Sequence, residues 1–170
     1  IFNELEDGKM IDKVKTGIPI IDKCTNGIAP SELVTIGAKS GVGKSALAVR
    51  IAINMYKADK KILIVSREMS KKQVAERILL SHSGISKEQY ENRDFNDKQW
   101  VRIVETMEAF SGEGIIIDDK ISTIQEIKQA IRRSKPDVLI VDYVQLLTPS
   151  NPKDSRERQV AEISRELKKM

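Results

Sequence analysis

Cysteine and histidine each occur only once in these 170 residues. With Cys24 alone, no intrachain disulfide can form, and a reducing cytoplasm suits the chain. With His82 alone, a zinc site built from several His or Cys ligands is excluded. A Ser-His-Asp triad would have to use His82, and nothing around it suggests one. Aromatic residues make up 4%, which argues against an aromatic-rich platform for stacking single-stranded bases. No apolar run approaches the roughly 20 residues of a membrane-spanning helix, and the first residues carry no signal-peptide pattern. Nine glycines and five prolines are too few for a low-complexity chain. What remains is a globular balance, 40% hydrophobic and 32% charged, with a net charge of +4. The length suits one domain with a sizeable core. The charge mildly favours a polyanionic partner.

Residues 1–17 are polar and mixed and read as a linker or arm. From Leu33 onward, short Ile- and Val-rich runs alternate with helical patterns. The runs are Leu33–Gly37, Lys61–Ser66, Gly114–Asp118 and Asp137–Asp142. Apolar residues on consecutive positions predict strands buried on both faces. Helix starts are marked by Ser70 with Gln73, Asn96 with Phe95 and Trp100, and Ser122 with Gln125. Trp100, Ile103, Val104, Met107 and Phe110 predict one apolar helix face. Gly84 and Gly112 predict helix stops. Val160, Ile163, Leu167 and Met170 predict a last amphipathic helix beginning near Ser155. The pattern runs to the end of the chain, as expected of a fragment. The order predicts an α/β fold with a mainly parallel sheet flanked by helices.

The strongest motif is Ala38-Lys39-Ser40-Gly41-Val42-Gly43-Lys44-Ser45. It follows a predicted strand and opens an apolar helix (Ala46, Leu47, Val49, Ile51, Ile53), the context a phosphate-binding P-loop requires. Its backbone N–H groups would wrap phosphate, aided by the helix N-terminus. Lys44 would reach the β- and γ-phosphates, and Ser45 would hold Mg²⁺. The position of the motif's first glycine is taken by Ala38, with Gly37 one residue early. The cofactors expected are therefore ATP or another nucleoside triphosphate, with Mg²⁺.

Ligands of open α/β sheets lie beyond the carboxyl ends of the strands. Glu68, the pair Asp118 and Asp119, and Asp142 all stand at such ends. Val138-Leu139-Ile140-Val141-Asp142 fits a Walker B strand whose aspartate supports Mg²⁺. Ile115-Ile116-Ile117-Asp118 fits the same crude pattern, and spacing alone does not separate them. Tyr143 follows Asp142, so no catalytic acid comes directly after it. Glu68, just before a helix cap, is the best candidate to orient or deprotonate an attacking water. Asp118 and Asp119 read more simply as turn or capping residues.

The segment Thr148–Gln159 is rich in proline, serine and asparagine and predicts a loop. Lys153, Arg156 and Arg158 offer charge to phosphates, and Ser155 with the following helix N-terminus offers donors. A solvated loop before an ordinary helix is the plainer alternative. Lys57, Lys60 and Lys61, and likewise Arg132, Arg133 and Lys135, read as solvated helix ends. His82 reads as a residue at a helix surface or core edge, and Cys24 as a small buried hydrophobe.

Three stretches together carry a resemblance: Ala38–Ser45, Val65-Ser66-Arg67-Glu68-Met69-Ser70, and Ile140-Val141-Asp142-Tyr143-Val144-Gln145-Leu146-Leu147. They resemble the hexameric replicative DNA helicases of the DnaB type. Lys15-Thr16-Gly17-Ile18-Pro19, Ile21-Asp22 and Asn26-Gly27 look like the entry to that family's C-terminal motor domain. Ile163-Ser164-Arg165-Glu166-Leu167-Lys168 resembles its next helix. The similarity spans about residues 14–170. It implies a RecA-like core in a six-subunit ring that moves 5′ to 3′ on single-stranded DNA at the expense of ATP. It assigns Lys44, Ser45, Glu68 and Asp142 the roles above and selects Asp142 as the Walker B acid.

The resemblance further implies that Lys153, Ser155, Arg156 and Arg158 lie on a channel loop that grips DNA. Arg67 stands where an apolar residue is common in that family. Residues 14–170 would be an incomplete motor domain, and 1–13 the tail of a linker packing on a neighbouring subunit. A sensor glutamine and an arginine finger, the latter acting across a subunit interface, would lie outside the chain, leaving the fragment weakly active or inactive. A primase and a helicase loader would be partners of the full-length, cytoplasmic protein. A RecA-type recombinase and a nucleotide-dependent assembly scaffold are the alternatives the same phosphate loop would serve.

Overall fold

The computed structural model describes residues 12–39, 41–111 and 114–170, without the side chains of 109–111. Three of the predicted apolar runs form strands, β1 (Ile62–Ser66), β2 (Ile115–Asp118) and β3 (Val138–Asp142). They pair in parallel in the order β2-β1-β3. β1 is central and buried at every position, so consecutive apolar residues are what its two covered faces require. Ile62 and Ile64 join one cluster, and Leu63 and Val65 join the other, following the two-residue period of a strand.

Among the described residues, seven α-helices accompany the sheet: α1 (Pro19–Thr25), α2 (Lys44–Lys57), α3 (Lys71–Ser83), α4 (Lys87–Asn92), α5 (Asp97–Ser111), α6 (Ile124–Ser134) and α7 (Arg156–Lys168). Val49, Ala52 and Ile53 of α2 and Val74 and Ile78 of α3 pack with Ile62 and Ile64. Ile127 and Ala130 of α6, Ile163 and Leu167 of α7, and Leu147 pack with Leu63 and Val65. A fully buried Leu or Ile of this kind contributes about 1.5–3 kcal/mol, so both helical layers are anchored on β1.

The helix starts follow the sequence signals closely. Ser70 and Gln73 form a reciprocal capping box, with Val74 buried and Met69 packed beside it. Asn96 and Gln99 exchange bonds of 3.0 and 2.9 Å, and the Phe95 and Trp100 rings stack 6.1 Å apart. Gly84 closes α3 in a left-handed conformation. The cap of α6 falls one residue later than predicted, on Thr123 with Glu126. The Glu126 carboxylate accepts from Ser122 N (2.7 Å) and Thr123 N (2.9 Å). A charged acceptor outcompetes the amide of Gln125, and these backbone bonds hold the Glu126 pKa below its usual value.

Three expectations are corrected. Leu33–Gly37 is not a strand, and Leu33, Val34 and Ile36 are exposed. The run has strand-like side chains but no ladder partner among the described residues, and propensity without pairing does not make a strand. The predicted apolar face of α5 is only partly buried. Ile103 and Thr106 face inward, whereas Trp100, Val104 and Met107 are exposed. Cys24 is exposed rather than buried, because α1 lies on the surface with no buried residue. Gly112, the Phe110 side chain and most of the expected arm at 1–13 lie outside the described residues.

His82 sits at a core edge, as expected, with Nδ1 2.9 Å from Thr106 Oγ1. That hydroxyl donates to the Arg102 carbonyl, so its oxygen accepts from a protonated Nδ1. Burial, then the Lys57 charge, lowers the His82 pKa.

Glu166 ties α7 to α6. Its carboxylate receives Lys128 at 2.8 Å and Lys169 at 2.7 Å. These bonds, Lys128 first, bring its pKa from 4.5 to about 2. A depressed acid stabilises the fold above its unfolded value and loses that contribution as pH falls through the folded one. Melting temperature is therefore expected to fall as pH drops from 4.5 towards 2, less steeply in Glu166→Gln. The difference is modest and shrinks with salt, because the pair is partly exposed.

Candidate active site

The parallel register brings the carboxyl ends of all three strands to one edge. Val65 lies opposite Asp118 and Val141, and Ser66 opposite Asp142. The backbone N–H of Arg67 donates to the Asp142 carbonyl at 2.7 Å, extending that alignment past the strand end.

Gly41 and Gly43 have φ of +79° and +109°, backbone that a residue with a Cβ adopts only under strain. Gly43 is the N-cap residue of α2, and no side chain caps that end. The first-turn N–H groups thus lack a side-chain cap, and with the helix dipole they give this end the positive potential that suits an anion. Lys44 is half-buried, and its ammonium donates to the carbonyls of Ala38 (2.9 Å) and Lys39 (3.1 Å). The loop therefore arches over its own lysine. Lys39 and Val42 are exposed, and Ser40 lies outside the described residues.

Ser45 and Asp142 border one small, mainly apolar cleft, together with Ser66, Met69, Arg77 and apolar side chains of α2 and the sheet. A hydroxyl and a carboxylate are hard oxygen donors, suited to Mg²⁺, which takes one or two protein ligands together with waters and phosphates. The described residues contain no cluster of three or more His, Cys, Asp or Glu that would form an all-protein metal cage. The donor set fits a nucleotide-bound Mg²⁺.

Glu68 is exposed in the turn between β1 and α3. Ser66 closes that turn, its hydroxyl donating to the Met69 carbonyl (2.8 Å) and accepting from Met69 N (3.2 Å). Asp118 and Asp119 occupy the neighbouring turn in the plainer roles. Asp118 Oδ1 accepts from Lys120 N and Ile121 N. Asp119 Oδ2 accepts from Lys71 N at 2.6 Å, at the first turn of α3.

The loop after β3 is organised by a residue the sequence reading missed. Gln159 is buried. Its amide donates to the carbonyls of Pro152 (3.2 Å) and Asp154 (2.9 Å) and accepts from Arg156 Nη1 (2.9 Å). The signal was available: Gln159 lies one helical turn before Ile163 and two before Leu167, a polar residue on the apolar stripe. Lys153, Arg156 and Arg158 are exposed, but Arg156 is partly engaged by Gln159. Ser155 is at the N-cap of α7 without capping it. The Glu157 pKa is lowered, first by its own backbone N–H and then by the Ser155 side chain.

The entry segment is built on similarly local bonds. Asp22 accepts from Thr16 N (2.7 Å), Thr16 Oγ1 (2.7 Å) and Gly17 N (2.9 Å). Asn54 of α2 donates to the Thr16 carbonyl at 3.1 Å. A Cβ on Gly17, at φ +70°, would lie 2.6 Å from Asn54 Nδ2. Glycine is required at this contact with the helix that carries the phosphate loop.

The chain resembles replicative DNA helicases in sequence and in structure. It is 33% identical over 165 residues to the replicative DNA helicase DnaC of Bacillus subtilis, covering 93% of this chain and 36% of that protein. It is 33% identical over 169 residues to the replicative DNA helicase DnaB of Geobacillus stearothermophilus, covering 95% and 37%. The chain thus spans little more than a third of these relatives. One solved ATPase domain superposes with a TM-score of 0.85 at 31% identity, over 99% of this chain and 63% of that one. A DnaB-like replicative helicase, solved in a study that includes its interactions with primase, gives the same score and identity, over 99% and 44%. Residues 13–170 match the sequence profile of the DnaB-like helicase C-terminal domain, and the chain belongs to that family.

Proposed function

We propose that this chain is the nucleoside-triphosphate-hydrolysing motor domain of a ring-shaped replicative DNA helicase. The observation that carries the reading is that Ser45 and Asp142 border one cleft at the sheet edge that also bears Glu68, with Lys44 next to Ser45 at the start of α2. In this reading the nucleotide phosphates replace the carbonyls of Ala38 and Lys39 as partners of Lys44. The backbone from Ala38 to Ser45 wraps them. Ser45 and Asp142 would hold Mg²⁺, whose charge would offset that of the phosphates. Glu68 orients the attacking water and accepts its proton.

Residues 14–170 form the motor, and 1–13 are an arm towards a neighbouring subunit. Six copies assemble, each site receiving an arginine finger from the next subunit. The ring moves 5′ to 3′ on single-stranded DNA in the cytoplasm, with primase and a loader as partners of the full-length protein. Lys153 and Ser155, on the loop that Gln159 shapes, and Arg156 and Arg158, in the first turn of α7, touch DNA phosphates. A loop of mixed charge that meets only phosphates binds weakly, with little sequence preference.

The test is ATP hydrolysis by the full-length protein with and without single-stranded DNA, at two salt concentrations. Strong stimulation that fades with salt is expected. Hydrolysis indifferent to DNA would instead favour a nucleotide-assembled scaffold, and filaments in place of closed rings a recombinase. Arg158→Ala is expected to weaken single-stranded DNA binding for all sequences alike. It should also reduce the slope of log affinity against log salt by about 0.7 for each phosphate it no longer neutralises. Fluorescence anisotropy over a salt series measures both.

A further inference from the structure

Arg67 directly precedes Glu68, and its guanidinium turns back to the neighbouring turn. Nη1 donates to the Asp119 carbonyl at 3.0 Å. Asp119 is also the residue whose carboxylate receives Lys71 N. Glu68 therefore lies between two points, 67 and 71, fastened to one residue of the β2–α6 turn. Arg67 Nε is buried and has no hydrogen-bond partner among the described residues. Burying an unpaired donor carries a desolvation cost that an apolar side chain would avoid. Arginine carries that cost at Nε. What it supplies, and an apolar residue cannot, is a directional attachment immediately beside Glu68.

We propose that Arg67 is a positioning residue for Glu68, holding the β1–α3 turn against Asp119 so that the carboxylate meets the water in line with the γ-phosphate. The inference rests on the role given to Glu68 above. The Ser66–Met69 bonds close the turn from within, and Arg67 fixes it relative to the rest of the strand edge. Removing the attachment leaves the phosphate loop untouched, so hydrolysis should suffer and nucleotide affinity should not.

The experiment is single-turnover ATP hydrolysis by the full-length hexamer carrying Arg67→Leu, Arg67→Lys, Glu68→Gln or the Arg67→Leu/Glu68→Gln pair. Nucleotide affinity and melting temperature are measured on each. Arg67→Leu is expected to slow hydrolysis between about ten- and a hundredfold, the scale of small misplacements of a reacting group, at unchanged affinity and melting temperature. Arg67→Lys should recover part of the rate, because an ammonium can still donate to the Asp119 carbonyl. The pair should be no slower than Glu68→Gln alone, since a positioning residue has nothing to add once its target is gone. A wild-type rate in Arg67→Leu beside an inactive Glu68→Gln overturns the proposal and leaves Glu68 standing. A fully active Glu68→Gln removes the premise and the proposal with it. Additive losses in the pair also overturn it, as does a rate loss that tracks a lowered melting temperature and is not recovered by lysine.

Discussion

Glu68→Gln is expected to lower the turnover number for ATP by about 10²–10⁴-fold, the range general-base groups contribute, while nucleotide binding stays near wild type. The asymmetry follows from where Glu68 sits. It is exposed in the β1–α3 turn, whereas the elements proposed to hold the nucleotide and its Mg²⁺ are the 38–45 loop, Ser45 and Asp142. Glutamine keeps the shape and the hydrogen-bonding reach but accepts no proton. The turn itself is closed by Ser66 with Met69 and capped by Ser70 with Gln73, none of which uses the Glu68 carboxylate, so the fold should be unaffected. Steady-state hydrolysis paired with a fluorescent-nucleotide titration measures both quantities. Normal hydrolysis in the variant would assign the water to another group. Asp118 and Asp119 are poorly placed for that work, since each already accepts backbone N–H groups.

Much of this arrangement was legible in the sequence because it is locally determined. The three strands, the Ser70–Gln73 box and the glycines of the phosphate loop each depend on a few neighbouring residues, although only β1 is buried at every position, β2 alternating and β3 being half-buried throughout. Their register, which sets Ser66 beside Asp142, follows from parallel pairing of apolar runs of similar length. Most of the departures are non-local. Leu33–Gly37 has the composition of a strand, but strand formation needs a pairing partner. Trp100, Val104 and Met107 have helical spacing, but spacing does not say which face meets α3. The cap of α6, expected on Ser122, is shifted locally by one residue to Thr123 with the charged acceptor Glu126, and Cys24 is exposed because α1 lies on the surface. The partners of Arg67 and Gln159 were likewise opaque, although the place of Gln159 on the apolar stripe of α7 signalled its burial. These partners, the Asp119 carbonyl and the Pro152 and Asp154 carbonyls, are backbone atoms whose positions only the folded chain defines.

Lys44→Ala is expected to weaken nucleotide binding and abolish hydrolysis together, in contrast to the split expected of Glu68→Gln. Two effects combine. The variant removes the ammonium that would face the β- and γ-phosphates, whose charge builds further in the transition state. It also removes both hydrogen bonds by which Lys44 holds the loop, those to Ala38 and Lys39. Without them the two carbonyls face the phosphate site with no intervening cation. Charge-assisted bonds contribute about 1.5–3 kcal/mol each, so removing even one bond to phosphate corresponds to roughly a tenfold or greater fall in affinity. Lys44→Arg separates the two effects. It keeps the charge, but a planar guanidinium presents its donors in a fixed fork and is not a compact point charge. It should retain part of the affinity and little of the turnover. Isothermal titration with ATP and Mg²⁺, beside hydrolysis rates for both variants, measures the separation. Equal affinity in wild type and Lys44→Ala would show that the loop's N–H groups alone hold the phosphates and that the lysine acts only on the transition state.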